Sequence, residues 1–257
     1  MVHGGHVDTG RLGRLAGKPN DDIEKLYSRI ETSLGQLFDY IRSGASSDSI
    51  LKPDGIYLLK NHMAAQFWRL PCFNQYAAEF LSHQSVEAIA DICSRIPRAP
   101  SVSPEAITKL LAEDPGFRHY FRSFWLPLGT ADLRRCIPDS VEWRILDVAQ
   151  PSGWSNFLCS DSPFVFAEPS TFLRFNSPFA FPLSASRLLV SRRRTAARDA
   201  YDPIFSTKIA TLSFCQATRY VAGTSREFMA QVLDFSAAYS DDSAVSRLRE
   251  EVLTHLG

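Results

Sequence analysis

The sequence predicts a mostly helical α+β fold, with a small antiparallel sheet at about 142–190 between N-terminal and C-terminal helices. Three observations carry this expectation. Apolar residues recur at three- and four-residue spacing over 21–43 and again over 53–70, the period of an amphipathic helix. From 142 to 191 the pattern breaks into short runs rich in Phe, Val and Trp between turn residues, as strands do. After Asp202 the helical period returns.

Taken in order, residues 1–20 read as a flexible basic arm. Gly4, Gly5, Gly10, Gly13 and Gly17 interrupt every element, and Arg11, Arg14 and Lys18 keep it in water. His3 and His6 lie in this arm, where no preformed metal site exists. Everything from 21 to 257 is expected to form a single domain, since neither a repeat nor a linker composition divides it.

The first helix, 21–43, opens on Asp21 and Asp22, which suit the positive end of its dipole, and stops at Gly44. Its stripe is Tyr27, Ile30, Leu34, Phe38 and Ile41. The second begins at Pro53 and ends before Pro71, with Ile56, Leu59, Met63 and Phe67 inward. A third covers 73–96. Ser103, Pro104 and Glu105 read as cap, first-turn proline and first-turn acid of a fourth. Asp114-Pro115-Gly116 then breaks the chain before a buried aromatic stretch, 117–125.

In the β region, 142–148 and 154–159 are expected to pair as a hairpin turning at Gln150-Pro151-Ser152-Gly153, flanked by Trp143 and Trp154. Further strands are expected at 164–166 and 187–190, with Pro169, Pro178 and Pro182 limiting their pairing. A basic loop, 192–202, is expected to be exposed and mobile. Helices are expected at 203–222, 226–239 and 242–256.

Composition narrows the function classes. Hydrophobic residues make up 45% and charged residues 22%, ordinary globular values. Lys plus Arg number 28 and Asp plus Glu also 28, which argues against general nucleic-acid coating while permitting a local basic patch. No apolar run is long enough to span a bilayer, so a soluble, cytoplasmic protein without a membrane partner is expected. The five cysteines are scattered and form no C-x-x-C pair, as expected of reduced thiols. No phosphate-binding glycine loop, dinucleotide fingerprint or metal-spaced histidine pair is present, so neither a cofactor nor a metal is indicated.

Some segments look familiar. Phe157-Leu158-Cys159-Ser160-Asp161-Ser162-Pro163-Phe164-Val165 and Gln66-Phe67-Trp68-Arg69-Leu70-Pro71 resemble the Phe-x-x-Ser-Asp-x-Pro and Gln-x-x-Arg-x-Pro motifs of a bacterial family known as domain of unknown function 4238. Trp143, Pro182-Leu183-Ser184 and Ile30-Glu31 fall in the same order, and Ser162 replaces the family's usual asparagine. The family's opening His-x-x-Pro segment and the strand after it have no counterpart here. The resemblance implies a fold and a bacterial origin, and no activity.

Three groups could carry chemistry. Asp161 and Ser160 end a strand, where a carboxylate can act as base or hold a cation, with His62 and the acids Asp147, Glu142 and Glu31 as possible companions. The plainer role is a turn, with Asp161 bonding a backbone N–H two residues on. His62, Gln66 and Arg69 fall on one helical line, where Arg69 and Gln66 could bind an anionic ligand or simply satisfy buried neighbours. The run from Arg192 to Arg194, with Arg198, could contact phosphates or be a solvated loop. Arg69 and Asp161, each a charge among apolar neighbours, are expected to pair.

The leading expectation is a binding or regulatory module that recognises an unidentified small ligand or protein through the aromatic strands and Arg69. A hydrolase or nuclease-like enzyme built on Asp161 and nucleic-acid contact through Arg192 to Arg198 are the alternatives. Whether the chain is an enzyme at all is left open.

Overall fold

The computed structural model describes residues 22–96, 102–147, 157–194, 203–223 and 225–257. By its contacts the chain forms two compact units. The first takes the chain up to Gln36 together with Leu58–Leu133, the second Leu37–Tyr57 together with Arg134–Gly257. Two of the crossings fall inside continuous helices, α1 (Asp22–Arg42) and α3 (Pro53–Arg69), so no glycine- or proline-rich linker marks them. Among the described residues no helix is long and apolar enough to cross a membrane.

The first unit is helical. After α3 come a 3₁₀ turn (Pro71–Phe73), α4 (Asn74–Ser82), α5 (Val86–Ser94), α6 (Pro104–Glu113), α7 (Pro115–Tyr120), a π-helical turn (Phe121–Trp125) and α8 (Leu126–Thr130). The expected stripes are buried as their spacing requires: Tyr27 and Ile30 of α1, and Leu59, Met63 and Phe67 of α3. Gly129 lets α8 approach α5, because a Cβ there would lie 2.5 Å from Ile92 Cγ2 and 2.7 Å from its carbonyl oxygen. Inside this unit the fully buried Lys60 ammonium lies 3.8 Å from Asp132.

The expected single helix over 73–96 is two. Ser85 accepts a hydrogen bond from the Ala88 N–H at 3.3 Å, and Glu87 sits in the first turn of α5, so a local cap overrides a continuous apolar period. The cap at Ser103 forms as expected, with its hydroxyl accepting from the Ala106 N–H at 3.2 Å. Gly44 stops α1 with φ of +86°.

The second unit opens with the short α2 (Ser47–Ile50) and is built on a four-stranded antiparallel sheet. Its strands are β1 (Val141–Asp147), β3 (Val165–Phe166), β4 (Phe179–Pro182) and β5 (Arg187–Arg193), in the order β1-β5-β4-β3. The expected hairpin is corrected: β1 pairs along its length with β5, Trp143 opposite Ser191 and Asp147 opposite Arg187. The described end of the second run is β2 (Cys159–Ser160), which pairs instead with β6 (Val221–Ala222). The expected turn at 150–153 and Trp154 lie outside the described residues. A hairpin that the sequence reading lacked joins β4 to β5, closed by the Leu183 N–H donating to the Arg187 carbonyl at 2.8 Å.

Register sorts the two sheet faces. Val165, Ala180, Leu188 and Val190 face one way, under Phe205, Ile209 and Leu212 of α10 (Pro203–Cys215) and Leu248, Val252 and Leu256 of α12 (Asp242–Leu256). Trp143 lies on the other face, its ring 5.4 Å from that of Phe179 and 5.9 Å from that of Phe175. Phe164 stacks on Phe181 at 4.8 Å and Phe166 on Phe172 at 4.7 Å, so the phenylalanine-rich stretch is packed core. A short α9 (Pro169–Phe172) and α11 (Arg226–Ser236) complete the unit.

Candidate functional site

Of the residues singled out from sequence, Asp161 and Arg69 fall in different units, and the partners of each lie inside its own. Asp161 is 1% exposed and lies in the second unit. Its carboxylate accepts the Thr218 N–H at 3.0 Å and the Thr218 hydroxyl at 2.6 Å. Burial alone would push this carboxyl up, but the Thr218 hydroxyl and N–H, with the backbone N–H groups of Asp161 and Arg219, outweigh it and hold the pKa below the ordinary value. The turn bond expected of Asp161 is made by its neighbour: Ser160 Oγ accepts the Ser162 N–H at 3.2 Å. Asp161 thus pins the loop after α10. Thr218 gives its N–H to that carboxylate, and the helix expected to reach 222 ends at Cys215.

Arg69 belongs to the first unit, and in place of the expected Asp161 its partners there are Ser123 and Glu31. Arg69 Nε donates to the Ser123 carbonyl at 3.0 Å, and Nη1 lies 3.8 Å from Glu31. The guanidinium also sits over the rings of Tyr27, at 4.9 Å, and Phe124, at 5.1 Å. Aromatic faces, a carbonyl and the Glu31 carboxylate receive the charge. His62 shares α3 with it. Burial first, and then the Arg69 charge, lower the His62 pKa to about 4, so its imidazole is neutral at physiological pH. Gln66 is partly buried on the same helix.

The basic run is corrected as well. Arg192 is a buried residue of β5 that donates to Glu142, its cross-strand partner, and Arg193 ends the same strand. Arg194 Nε donates to the Val141 carbonyl at 3.2 Å. Residues 195–202, including Arg198, lie outside the described residues. Among the described residues no group of three or more His, Cys, Asp or Glu side chains could hold a metal ion.

A different place has the shape of a site. In the first unit, α4, α5, α6 and α7 enclose a cleft of about 540 Å³, within the range of small-molecule sites. Its wall is apolar, with Ala77, Leu81, Ile89 and Leu111. The hollow persists because α4 and α6 present alanines, Ala77, Ala78 and Ala112, where larger side chains would fill it. Asn74, Ser82, Gln84 and Thr108 add polar groups around it, and its basic edge comes from one segment. Asp114 caps α7, accepting the Gly116 N–H at 2.9 Å and the Phe117 N–H at 3.2 Å. Phe117, Tyr120, Phe121 and Trp125 then turn inward, with Phe117 and Phe121 6.1 Å apart and Phe121 stacked on Trp125 at 5.3 Å. The positions between these place Arg118, His119 and Arg122 at the cleft.

Arg122 lies in the π-helical turn, an irregularity often found at functional sites. It holds the end of α3: Nη2 donates to the Leu70 carbonyl at 3.0 Å, Nε to the Trp68 carbonyl and Nη1 to Asn74 Oδ1. Burial lowers its pKa from the ordinary arginine value, with Cys72 opposing the shift. Arg118 and His119 are exposed, and among the described residues neither side chain has a hydrogen-bond or ion-pair partner. The sequence signal for this trio was there to be read: basic residues at i, i+1 and i+4 within a stretch that otherwise reads as buried aromatics. What sequence could not show is that α4 to α6 leave a hollow beside them.

Comparison with known proteins gives no match to a family model, to a curated protein or to a solved structure.

Proposed function

We propose that this chain is a ligand-binding module whose site is the cleft among α4, α5, α6 and α7. One observation carries the reading: a hollow of about 540 Å³ whose wall holds Ala77, Leu81, Ile89 and Leu111 and whose basic groups all come from one segment, 118–122. Such a place accepts the apolar body of a small molecule and orients its polar end. The enzymatic alternative has less support, since Asp161 accepts from Thr218 and Ser160 from its own turn. Contact with nucleic acid through Arg192 is disfavoured by the pairing of that side chain with Glu142. A cytoplasmic setting belongs to the same proposal, and five free cysteines support it. Kinship with domain of unknown function 4238, and with it a bacterial origin, rests on the motifs at 66–71 and 157–163.

The test is a neutral apolar dye, N-phenyl-1-naphthylamine, titrated with the folded protein. Saturable fluorescence enhancement is expected, and Ala112→Trp should abolish it by filling the hollow. Because Ala112 is exposed, that variant should keep its unfolding free energy within about 0.5 kcal/mol. Absence of saturable binding, or equal binding by the variant, overturns the proposal.

A further inference from the structure

We infer that the ligand of this cleft is a carboxylate with an apolar body, its anionic end held by Arg118 beside the fixed charge of Arg122. The inference rests on the cleft reading above and adds the ligand's chemistry.

Charge is the first ground. The lining contains two arginines and a histidine, and no aspartate or glutamate. Arg122 is half-buried, yet the groups that hold it are neutral: two main-chain carbonyls and an amide oxygen. Among the described residues no carboxylate pairs with it. The carbonyls at the end of α3 compensate part of its charge through the helix dipole. Cys72 offsets a further part, and a guanidinium withdrawn from water without a paired carboxylate favours a counter-ion.

Placement is the second ground. Arg118 and Arg122, four residues apart, both line the cleft, so two like charges repel at one edge of it. An anion received there removes the repulsion. Three of the five Arg122 N–H groups are occupied and leave it immobile, whereas Arg118 retains its whole fork. One free planar fork matches one planar carboxylate, while a phosphate dianion would call for more donors. The apolar wall, with Leu81, Ile89 and Leu111, makes the remainder of the ligand hydrophobic.

Calorimetric or NMR titration of the whole chain with octanoate, 1-octanol and octyl phosphate tests the inference. Octanoate should bind about tenfold or more tightly than the alcohol, the worth of a charge-assisted pair. Added salt should weaken octanoate and leave the alcohol unchanged. Arg118→Gln should reduce octanoate to the level of the alcohol without altering alcohol binding. Arg118 is exposed, so that variant should fold, and its circular dichroism and unfolding midpoint confirm it. Equal affinity for octanoate and octanol, or full octanoate affinity in Arg118→Gln, overturns the inference and leaves the cleft standing. Tighter binding of octyl phosphate replaces carboxylate by phosphate and also overturns it. If none of the three probes nor the neutral dye binds, the cleft reading itself fails.

Discussion

Replacing Asp161 by asparagine separates a structural carboxylate from a catalytic one. Asp161 is 1% exposed and accepts the Thr218 N–H at 3.0 Å and hydroxyl at 2.6 Å. Hydrogen bonds to a buried charge are each worth about 1.5–3 kcal/mol. Asparagine keeps one acceptor oxygen and turns an NH₂ toward a donor, so one good bond is lost and one buried donor is left unsatisfied. The expected cost is about 3 kcal/mol. Denaturant unfolding followed by circular dichroism measures it. The pH dependence adds a second reading. The folded pKa lies below the ordinary value, so the stabilisation is present above the unfolded pKa and is lost as pH falls through the folded one. The asparagine variant should lack that acid limb, below about pH 4. Since Arg69 has its own partners, Arg69→Met and Asp161→Asn should be additive within about 0.5 kcal/mol. A cost under about 1 kcal/mol for Asp161→Asn, or strong coupling to Arg69, would refute this reasoning.

Three further outcomes follow from the first unit. The His62 pKa is lowered from 6.5 to about 4, so the unfolded chain binds more protons in that window; stability should be complete above it and fall with pH by up to about 3 kcal/mol. His62→Gln should flatten that slope, and an unchanged slope would count against the burial of this imidazole. Gly129→Ala should destabilise by about 1–3 kcal/mol, because the added Cβ meets the Ile92 backbone. Gly35→Ala, in the open on α1, should stabilise by up to about 1 kcal/mol, and equal effects of the two changes on unfolding would contradict the close packing of α8 on α5.

The helices with strong periodicity were legible because their burial is decided locally: α1, α3, α6 and α12 follow their apolar spacing and caps. The sheet was harder. Strand identity showed in composition at β1, β3 and β5, but partner choice did not, because Asp147 opposite Arg187 and Glu142 opposite Arg192 join residues forty or more apart. Those ion pairs decide what the arginines do. Arg187, buried, grips Asp147 with two bonds and gives a third to the Ile41 carbonyl at 2.9 Å, none of it visible in a local window. The same holds for Asp161, whose partner Thr218 is 57 positions away. The candidate site was hidden for another reason. A cleft is a property of what neighbouring helices omit, and three alanines on α4 and α6 read in sequence as ordinary helix formers.

The central claim is that the hollow beside Arg118 is where this chain binds its ligand. Amide chemical-shift mapping during an octanoate titration tests it most directly. The expected result is a set of shifts confined to the cleft lining, strongest at Thr108, Leu111, Ala112, Arg118 and His119, that saturates with one dissociation constant. Saturating shifts at Asp161 and Thr218, or around Arg69, with the cleft amides unmoved would contradict the account.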